Sequence, residues 1–278
     1  MLKRVLAFDF GASNGRAILG SFDGNKISIE EIHRFENTPI IVGDHMHWNL
    51  PELFNEIKKA MVIAEGYGEY HSIGIDTWGV DYGIINRKGE IVSNPRHYRD
   101  VRTAGMIDEV DKIISRDKLY TLTGNQLMEI NTLFQLYSEY LANGIDFYKD
   151  KTILMMPDLF NYLLTGVKRA EKTIASTTQI FDPYNKKWNE YIIRKLGICK
   201  DLFPEIVASG TEIGLIKEEL AEELNIEGKA VIAVCEHDTA SAVAAVPSKK
   251  DFLFLSCGTW SLFGTERSEP LINEKTLA

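Results

Sequence analysis

Short apolar runs, each closed by a polar residue or a glycine, dominate the start of the chain. They occupy residues 5–8, 16–22 and 26–35, and a turn at residues 23–25 separates the last two. Runs of this kind, rich in β-branched and aromatic residues and bounded by turn residues, are typical of strands. The pattern therefore predicts three strands before the first helix.

A helix and two further strands follow. Residues 49–52, Asn-Leu-Pro-Glu, have the sequence of a capping box at the start of a helix. Residues 73–75 and 80–85 return to the strand pattern. This order predicts a mixed α/β sheet rather than a helical bundle or a β-sandwich. The predicted inner face of the helix consists of Leu53, Ile57, Ala60, Met61 and Ala64.

The middle of the chain, residues 101–225, has mostly helical spacing. Residues 229–235 then predict a buried strand that ends at Glu236, and residues 240–246 predict a short helix. The apolar positions that define the two clearest helical faces in this region are Ile107, Val110, Ile113 and Ile114, and Leu133, Leu136, Tyr137 and Tyr140.

A turn-rich segment at residues 247–250 predicts a domain boundary, with a first domain at 1–247 and the start of a second at 248–278. Residues 252–261 repeat the plan of residues 5–13: an apolar strand, a polar residue, a glycine, and small hydroxyl residues. Two such hairpins predict a duplicated fold with one phosphate-binding turn per half. Because the chain ends soon after the second hairpin, we expect the second domain to be truncated.

Composition narrows the possible functions. The 278 residues are 45% hydrophobic and 26% charged, which is ordinary for a globular protein. The 31 basic and 40 acidic side chains give a net charge of −9, which disfavours binding to nucleic acid or to an anionic membrane surface. Three widely spaced cysteines predict neither a disulfide framework nor a zinc site. With no signal peptide or long apolar segment, the sequence predicts a soluble, cytoplasmic protein.

Residues 9–16 form the first candidate site for an anionic ligand. The glycines of this turn allow backbone amides to approach a phosphate, and Arg16 adds a positive charge. At the end of the strand, Asp9 is a candidate to support Mg²⁺ through water. The segment contains neither a P-loop nor a dinucleotide-binding fingerprint. A polar β-turn without a ligand is the alternative, and the turn alone favours it.

A second candidate site follows the predicted strand at residues 229–235. A carboxylate beyond such a strand lies at the sheet edge where open α/β folds bind ligands, so Asp238 is a candidate general base for a substrate hydroxyl. The alternative is that Asp238 or Thr239 caps the next helix, and both roles are compatible.

The turn at residues 76–81 is the third candidate. Trp78 offers an apolar face to a sugar, and Gly79 exposes backbone groups to its hydroxyls; the alternative places Trp78 in the core. Residues 98–102 add polar groups that suit a polyol but are common in loops. His45 and His47 have no further ligand at metal-binding spacing, so an exposed polar strand is predicted there.

Together these segments resemble the FGGY family of carbohydrate kinases, most closely those that act on L-rhamnulose. The resemblance extends over essentially the whole chain and implies an actin/hexokinase-like (ribonuclease H-like) α/β fold. Its motifs are FDFGASNGR at 8–16, IHRF at 32–35, IGIDTWGVD at 73–81, YRDVRT at 98–103, MPDLFNYLLTG at 156–166, HDTASAV at 237–243 and LSCGTWSL at 255–262.

The resemblance implies MgATP-dependent phosphorylation of L-rhamnulose at its 1-hydroxyl, with Asp238 as the proton acceptor. It also implies that Asp9 supports Mg²⁺. The residues expected around the sugar are Trp78, Gly79, His237, Asp238 and Thr239. Those expected to face the phosphates of ATP are Ala12, Ser13, Asn14, Gly15, Arg16 and Thr259.

Family members are nearly twice as long, and their later half supplies the adenine site and a closing lobe. We therefore expect this chain to be poorly active or inactive by itself, and prone to self-association. Three alternatives remain: a kinase for another ketose (L-fuculose or xylulose), a non-catalytic sugar-binding module, and a chaperone or filament ATPase of the same fold. The pairing of Asp238 with a sugar-type turn at Trp78 favours a sugar kinase over the last.

Overall fold

In the computed structural model, residues 2–248, 250–258 and 261–277 are described. The strands are β1 (Lys3–Phe10), β2 (Asn14–Phe22), β3 (Ile27–Glu36), β4 (Ile40–Val42), β5 (His45–His47), β6 (Ser72–Thr77), β7 (Tyr82–Ile85), β8 (Thr152–Met155), β9 (Ala170–Glu171), β10 (Phe181–Asp182), β11 (Lys187–Trp188), β12 (Ile206–Val207), β13 (Thr211–Leu215), β14 (Ala230–Ala233), β15 (Leu253–Cys257) and β16 (Ser261–Thr265). The α-helices are α1 (Leu50–Glu65), α2 (Met106–Asp111), α3 (Arg116–Thr123), α4 (Thr132–Asn143), α5 (Met156–Thr165), α6 (Lys172–Ala175), α7 (Glu190–Lys195), α8 (Glu218–Leu224), α9 (Asp238–Ala244) and α10 (Glu274–Leu277).

A mixed six-stranded sheet forms the centre of the fold, in the order β13-β14-β6-β1-β2-β3. Strands β1, β2 and β3 form an antiparallel meander, whereas β1, β6 and β14 run parallel to one another. The carboxyl ends of these three parallel strands therefore meet at one edge of the sheet. In the register of β1 and β6, Asp9 lies beside Asp76.

One face of β1 carries the main core. Leu6, Phe8 and Phe10 are buried, while Val5, on the opposite face, is exposed. The Phe10 ring stacks on Phe160 of α5, with 4.8 Å between the ring centroids. Strand β1 thus presents alternate residues to the core, and Asp9 lies on the less covered face, as the two-residue period of a strand requires.

The predicted strands and the predicted helix at the start of the chain are confirmed, and all five predicted apolar positions of α1 are buried. The predicted capping box is wrong, because the Asn49 side chain accepts no capping hydrogen bond. Pro51, at the second helical position, has no N–H to offer it. The backbone of Asn49, with ψ at 72°, also departs from the extended form of a typical capping residue.

The helical prediction for residues 101–225 holds for α2 to α5, α7 and α8, although short strands separate them. Several boundaries differ from those predicted; for example, β14 ends at Ala233 rather than at residue 235, and α9 begins at Asp238 rather than at residue 240. Helix α2 ends at Asp111, so Ile113 and Ile114 lie beyond it, and β7 begins at Tyr82 because Val80 has a left-handed φ of 69°. The predicted second hairpin is present as the antiparallel pair β15 and β16.

Replacing Phe10 by alanine tests the aromatic core under β1. We expect the Phe10→Ala variant to lose about 3–5 kcal/mol in the free energy of unfolding, because the ring is fully buried and its neighbours cannot refill the cavity. Urea unfolding measures the loss, with Ile29→Ala, a change at a 74% exposed position, as the control. A loss for Phe10→Ala no larger than that of the control would contradict this account of the core.

Candidate active site

Three carboxylates lie at the edge where β1, β6 and β14 end. Asp9 and Asp76 are neighbours in register, and the segment after β14 extends beside β6 through a bridge between Thr77 and His237. Asp238 comes next in the chain and opens α9. The pKa of Asp76 is raised to about 8, mainly by burial and then by the negative charges of Asp9 and Asp238. The structure therefore brings the two predicted carboxylates, Asp9 and Asp238, to one place.

Asp76 is a site residue that the sequence reasoning did not single out. Its Oδ1 atom is buried and accepts no hydrogen bond from the described residues. The available signal was positional: Asp76, like Asp9, is next to last in a parallel strand. A carboxyl at this place lies in the same electrostatic environment as the other two.

The turn after β1 is tightly braced. The Gly11 N–H donates to the Asn14 carbonyl at 2.9 Å, and Asn37 donates from its side chain to the Gly11 carbonyl, also at 2.9 Å. A Cβ added to Gly15 would lie 2.3 Å from the Phe35 ring, so packing alone requires glycine there. The predicted phosphate-facing residues Ala12 to Arg16 thus lie in a well-defined hairpin, and their role towards ATP stays a prediction.

Arg16 is the positive charge of this region. Its Nε donates to Asp9 Oδ2 at 2.9 Å, and both side chains are partly exposed. The ion pair offsets part of the negative charge at the strand ends. It also leaves Asp9 Oδ1 available to another cation.

The chemistry of the donors fits Mg²⁺, although no cluster of three or more His, Cys, Asp or Glu side chains suited to a metal occurs among the described residues. Mg²⁺ commonly uses one or two carboxylates and completes its shell with water and substrate phosphates. Asp9, with Asp76 beside it, supplies such hard oxygen donors. The residues therefore suit a magnesium ion that arrives with a nucleotide, rather than a structural metal.

His237, Asp238 and Thr239 lie at the start of α9, where His237 is the capping position but its side chain makes no capping bond. Among the described residues, the hydrogen bonds to the Asp238 carboxylate all go to Oδ1, from the N–H and hydroxyl of Thr239 at 2.5 and 3.1 Å. The Asp238 side chain is 40% exposed, and the His237 Nε2 atom lies 3.4 Å from its Oδ1. One carboxylate oxygen is therefore open to a ligand.

The imidazole of His237 is neutral near pH 7. Burial lowers its pKa, against the opposing influence of the negative charges of Asp238 and Glu171. A neutral ring beside Asp238 is able to donate one hydrogen bond and accept another.

The turn after β6 has a buried aromatic layer. Trp78 is only 6% exposed, and its ring centroid lies 4.0 Å from that of Trp48. A Cβ at Gly79 would lie 3.0 Å from the Thr177 side chain, which explains the glycine. Trp78 thus occupies the core position that the alternative interpretation expected, and its contact with a sugar stays a prediction.

Asp81 organises this layer. It is fully buried, and its Oδ2 accepts hydrogen bonds from the indole N–H groups of Trp48 at 2.6 Å and Trp78 at 3.1 Å. Gln135 donates to Oδ1 at 2.9 Å, and the Tyr98 N–H to Oδ2 at 3.1 Å. Burial is the main cause that raises the pKa of Asp81 to about 6. This role was not predicted from the sequence, because most of the partners, Trp48, Tyr98 and Gln135, lie 17 to 54 positions away in the chain.

The remaining candidates have structural partners. Asp100 is buried and accepts the Met46 N–H at 2.9 Å and faces His45 Nδ1 at 3.2 Å, while His47 contacts the Asn94 carbonyl. The predicted phosphate-facing residue Thr259 lies outside the described residues. In the part of the chain that the structure describes, no helix is long and apolar enough to cross a membrane.

Comparison with known proteins identifies the family. Residues 4–245 match the N-terminal domain of the FGGY family of carbohydrate kinases. The rhamnulokinase of Halalkalibacterium halodurans is 42% identical over 273 residues, which are 98% of this chain and 58% of that protein. The rhamnulokinase of Bacteroides thetaiotaomicron is 39% identical over 280 residues, covering 100% of this chain and 58% of that protein. The chain thus spans little more than half the length of these curated relatives.

Solved structures agree in fold. The ligand-bound xylulose kinase from Lactobacillus acidophilus has a TM-score of 0.83 at 16% identity, over 99% of this chain and 56% of that one. The xylulose kinase from Rhodospirillum rubrum has a TM-score of 0.79 at 15% identity, over 91% of this chain and 53% of that one. The resemblance and the fold class inferred from the sequence are confirmed.

Replacing Asp81 by asparagine tests the buried network. At pH 8 we expect Asp81→Asn to lose about 1–3 kcal/mol in the free energy of unfolding, because an NH₂ group replaces one accepting oxygen among buried donors. The native pKa near 6 lies above that of the unfolded chain, so protonation stabilises the wild type as pH falls towards 4. The gap between wild type and variant therefore widens over that range.

Chemical unfolding at several pH values measures both effects. Asp201→Asn, at an exposed position, is the matched control for loss of one carboxylate. A gap that narrows as pH falls from 6 to 4 would show that Asp81 does not hold a proton more tightly in the native state.

Proposed function

We propose that this chain, which belongs to the FGGY family of carbohydrate kinases, contributes the sugar-binding and proton-accepting part of an ATP-dependent kinase for L-rhamnulose. The phosphoryl group would go to the 1-hydroxyl and give L-rhamnulose 1-phosphate. The curated relatives described above are rhamnulokinases, which supports this substrate over other ketoses. The chain spans little more than half the length of those relatives, so the complete reaction belongs to the proposal.

The placement of Asp238 carries the proposal. Its carboxylate is partly exposed, has one oxygen without a described hydrogen-bond donor, and shares the sheet edge with Asp9. A general base must reach the hydroxyl proton and remain accessible to substrate. If the residue served only to start α9, a serine would do so as well as an aspartate, and no carboxylate would be required.

In the proposed step, Asp238 accepts the proton of the sugar 1-hydroxyl. At the same time O1 forms a bond to the γ-phosphorus of ATP, and the bond from that phosphorus to the β–γ bridging oxygen breaks. The bonding electrons leave on the oxygen of ADP. Phosphoryl transfer of this kind depends chiefly on positioning and on charge stabilisation, which is what the braced turns of this chain offer.

The groups around the phosphates follow the sequence prediction. The hairpin from Ala12 to Arg16, together with Thr259, would face the nucleotide phosphates, and the charge of Arg16 would offset theirs. Asp9 would hold the magnesium ion, which neutralises phosphate charge when it is bound. The Arg16–Asp9 ion pair keeps both side chains at this edge before the nucleotide arrives.

The sugar would lie against the backbone of Gly79 and the polar groups of His237, Asp238 and Thr239. The small exposed part of Trp78, 6% of its surface, would offer an apolar contact to the methyl group of a 6-deoxy sugar. The neutral imidazole of His237 would bond a sugar hydroxyl without adding charge beside the base.

Turnover tests this function most simply. We expect slow ADP release with MgATP and L-rhamnulose, because the chain spans little more than half the length of its relatives. Asp238→Asn should lower kcat by a further factor of about 10²–10⁴, because the proton acceptor is removed. L-Fuculose and D-xylulose in the same assay separate the ketose alternatives. Asp201→Asn, at an exposed position, should leave the rate unchanged.

An unchanged rate in Asp238→Asn would contradict the assignment of the base. Faster turnover with L-fuculose or D-xylulose would contradict the substrate. L-Rhamnulose binding in calorimetry without ADP release would support a sugar-binding module and would contradict catalysis by this chain alone.

A further inference from the structure

Three acidic side chains are buried directly beneath the segment that carries Asp238. They are Asp158 of α5, Glu171 of β9, and Glu236, which follows β14; none is more than 3% exposed. In the described part of the chain, no Lys or Arg side chain forms an ion pair with any of them. Buried carboxyl groups without a positive partner are costly unless they are hydrogen-bonded or neutralised by protons.

Glu171 is saturated with hydrogen bonds. Its Oε2 accepts the backbone N–H groups of Thr173 at 2.7 Å and Glu236 at 3.2 Å, and its Oε1 accepts the Ser209 hydroxyl at 2.5 Å. The Thr173 hydroxyl donates to Oε2 and accepts the His237 N–H at 3.2 Å. Glu171 thus anchors two consecutive backbone amides just before Asp238, that of Glu236 directly and that of His237 through the Thr173 hydroxyl.

Asp158 and Glu236 are only half satisfied. Asp158 Oδ1 accepts the Glu171 N–H at 2.9 Å, and Glu236 Oε1 accepts the Asn161 side chain at 2.7 Å. The second oxygen of each, Asp158 Oδ2 and Glu236 Oε2, is buried and has no donor among the described residues. Two such oxygens on interacting carboxyl groups can both be satisfied by one proton held between them.

We propose that Glu236 keeps a proton and donates it to Asp158, and that this carboxyl–carboxylate pair, with Glu171, is a positioning element for Asp238. The positioning of Asp238 for catalysis rests on the proposed function, whereas the proton held between Glu236 and Asp158 does not. The Glu236 backbone is also held from the other side, since its carbonyl accepts the Thr77 N–H at 3.0 Å. Glu236 is therefore held by its side chain, its N–H and its carbonyl, and this fixes the segment before Asp238.

The electrostatics agree with this assignment. Burial raises the pKa of Asp158, and it raises that of Glu236 well above its ordinary value. A hydrogen bond from Glu236 to Asp158 would lower the pKa of Asp158 and raise that of Glu236, which favours the proton on Glu236. The other groups that face the pair are Asn161, whose bond opposes the rise at Glu236, and the charged Glu171, which adds to it. His237 is adjacent and has a lowered pKa.

Glu236→Gln is the informative variant, because an amide has the shape of a protonated carboxyl and donates a hydrogen bond that cannot ionise. A carboxyl whose native pKa is raised stabilises the fold below that pKa, and the stabilisation is lost as pH rises through it. We expect the stability of the wild-type chain to fall from pH 6 to 9, and that of Glu236→Gln to fall less. Glu212→Gln, at an exposed position, should follow the wild type.

Positioning is tested by hydrogen exchange of the backbone amides at 236–239. We expect Glu236→Gln to keep the wild-type protection at pH 7, and Glu236→Ala to exchange at least tenfold faster in this segment only. In turnover assays, Glu236→Gln should keep kcat within about twofold and lose the wild-type decline in kcat above pH 8 that comes from ionisation of the pair. Glu236→Ala should lower kcat more than it raises KM for ATP.

Equal pH slopes for wild type and Glu236→Gln would overturn the shared proton, whatever the activity of the chain. Rapid exchange at 236–239 in a folded Glu236→Gln would overturn the positioning role. If Glu236→Ala does not fold, the Gln variant decides alone. Failure of the wild type to phosphorylate any ketose would overturn the proposed function and leave the stability and exchange results intact, so the two failures are distinguishable.

Discussion

The convergence of three parallel strand ends is the constraint on which the rest of this structure depends. Strands β1, β6 and β14 each lead towards a carboxylate at the same edge, so Asp9, Asp76 and Asp238 repel one another. Such an arrangement costs stability unless positive charge, protons or a ligand offset it. Arg16 pairs with Asp9, and the pKa of Asp76 is raised to about 8, first by burial and then by the negative charges of its neighbours. The edge is thereby suited to a cation and to a phosphate-bearing ligand that brings one.

Two buried polar networks hold the loops at this edge. Asp81 ties two tryptophans, a backbone amide and a glutamine beneath the turn after β6, and Glu171 with Asp158 and Glu236 fixes the segment before Asp238. The apolar core under β1 supplies most of the burial, but apolar packing has no direction. Hydrogen bonds to buried carboxylates are directional, and an incomplete network is costly, so they define the orientation of a loop. The proposed chemistry depends on that orientation.

Much of the fold was predictable from local patterns. The strands at the start of the chain and α1 have strong periodicity. Asp9 lies near the end of β1, and Asp238 lies beyond β14, where it opens α9. Both follow an apolar run, which is a local signal. The predicted cap at Asn49 was wrong for a local reason, because the proline at the second helical position has no N–H to donate. The end of α2 depends on packing, and the late start of β7 depends on the left-handed backbone of Val80. The hydrophobic pattern of the sequence predicts neither.

The part of the site that was not predicted consists of hydrogen-bonded pairs of residues that lie far apart in the sequence. Trp48 meets Asp81 across 33 positions, and Asn161 meets Glu236 across 75. Nothing in the sequence around Glu236 distinguishes a buried, protonated glutamate from an exposed one. The roles of Asp76, Asp81 and Glu236 appear only when distant elements are brought together.

The most direct test of the central claim, that Asp238 is the base for a sugar hydroxyl, is a crystal structure of this chain with L-rhamnulose. The account predicts the 1-hydroxyl oxygen within hydrogen-bonding distance, about 2.6–3.2 Å, of the Asp238 carboxylate, with the sugar against the Gly79 backbone. L-Rhamnulose bound away from the strand ends, or with a hydroxyl other than the first at Asp238, would contradict it.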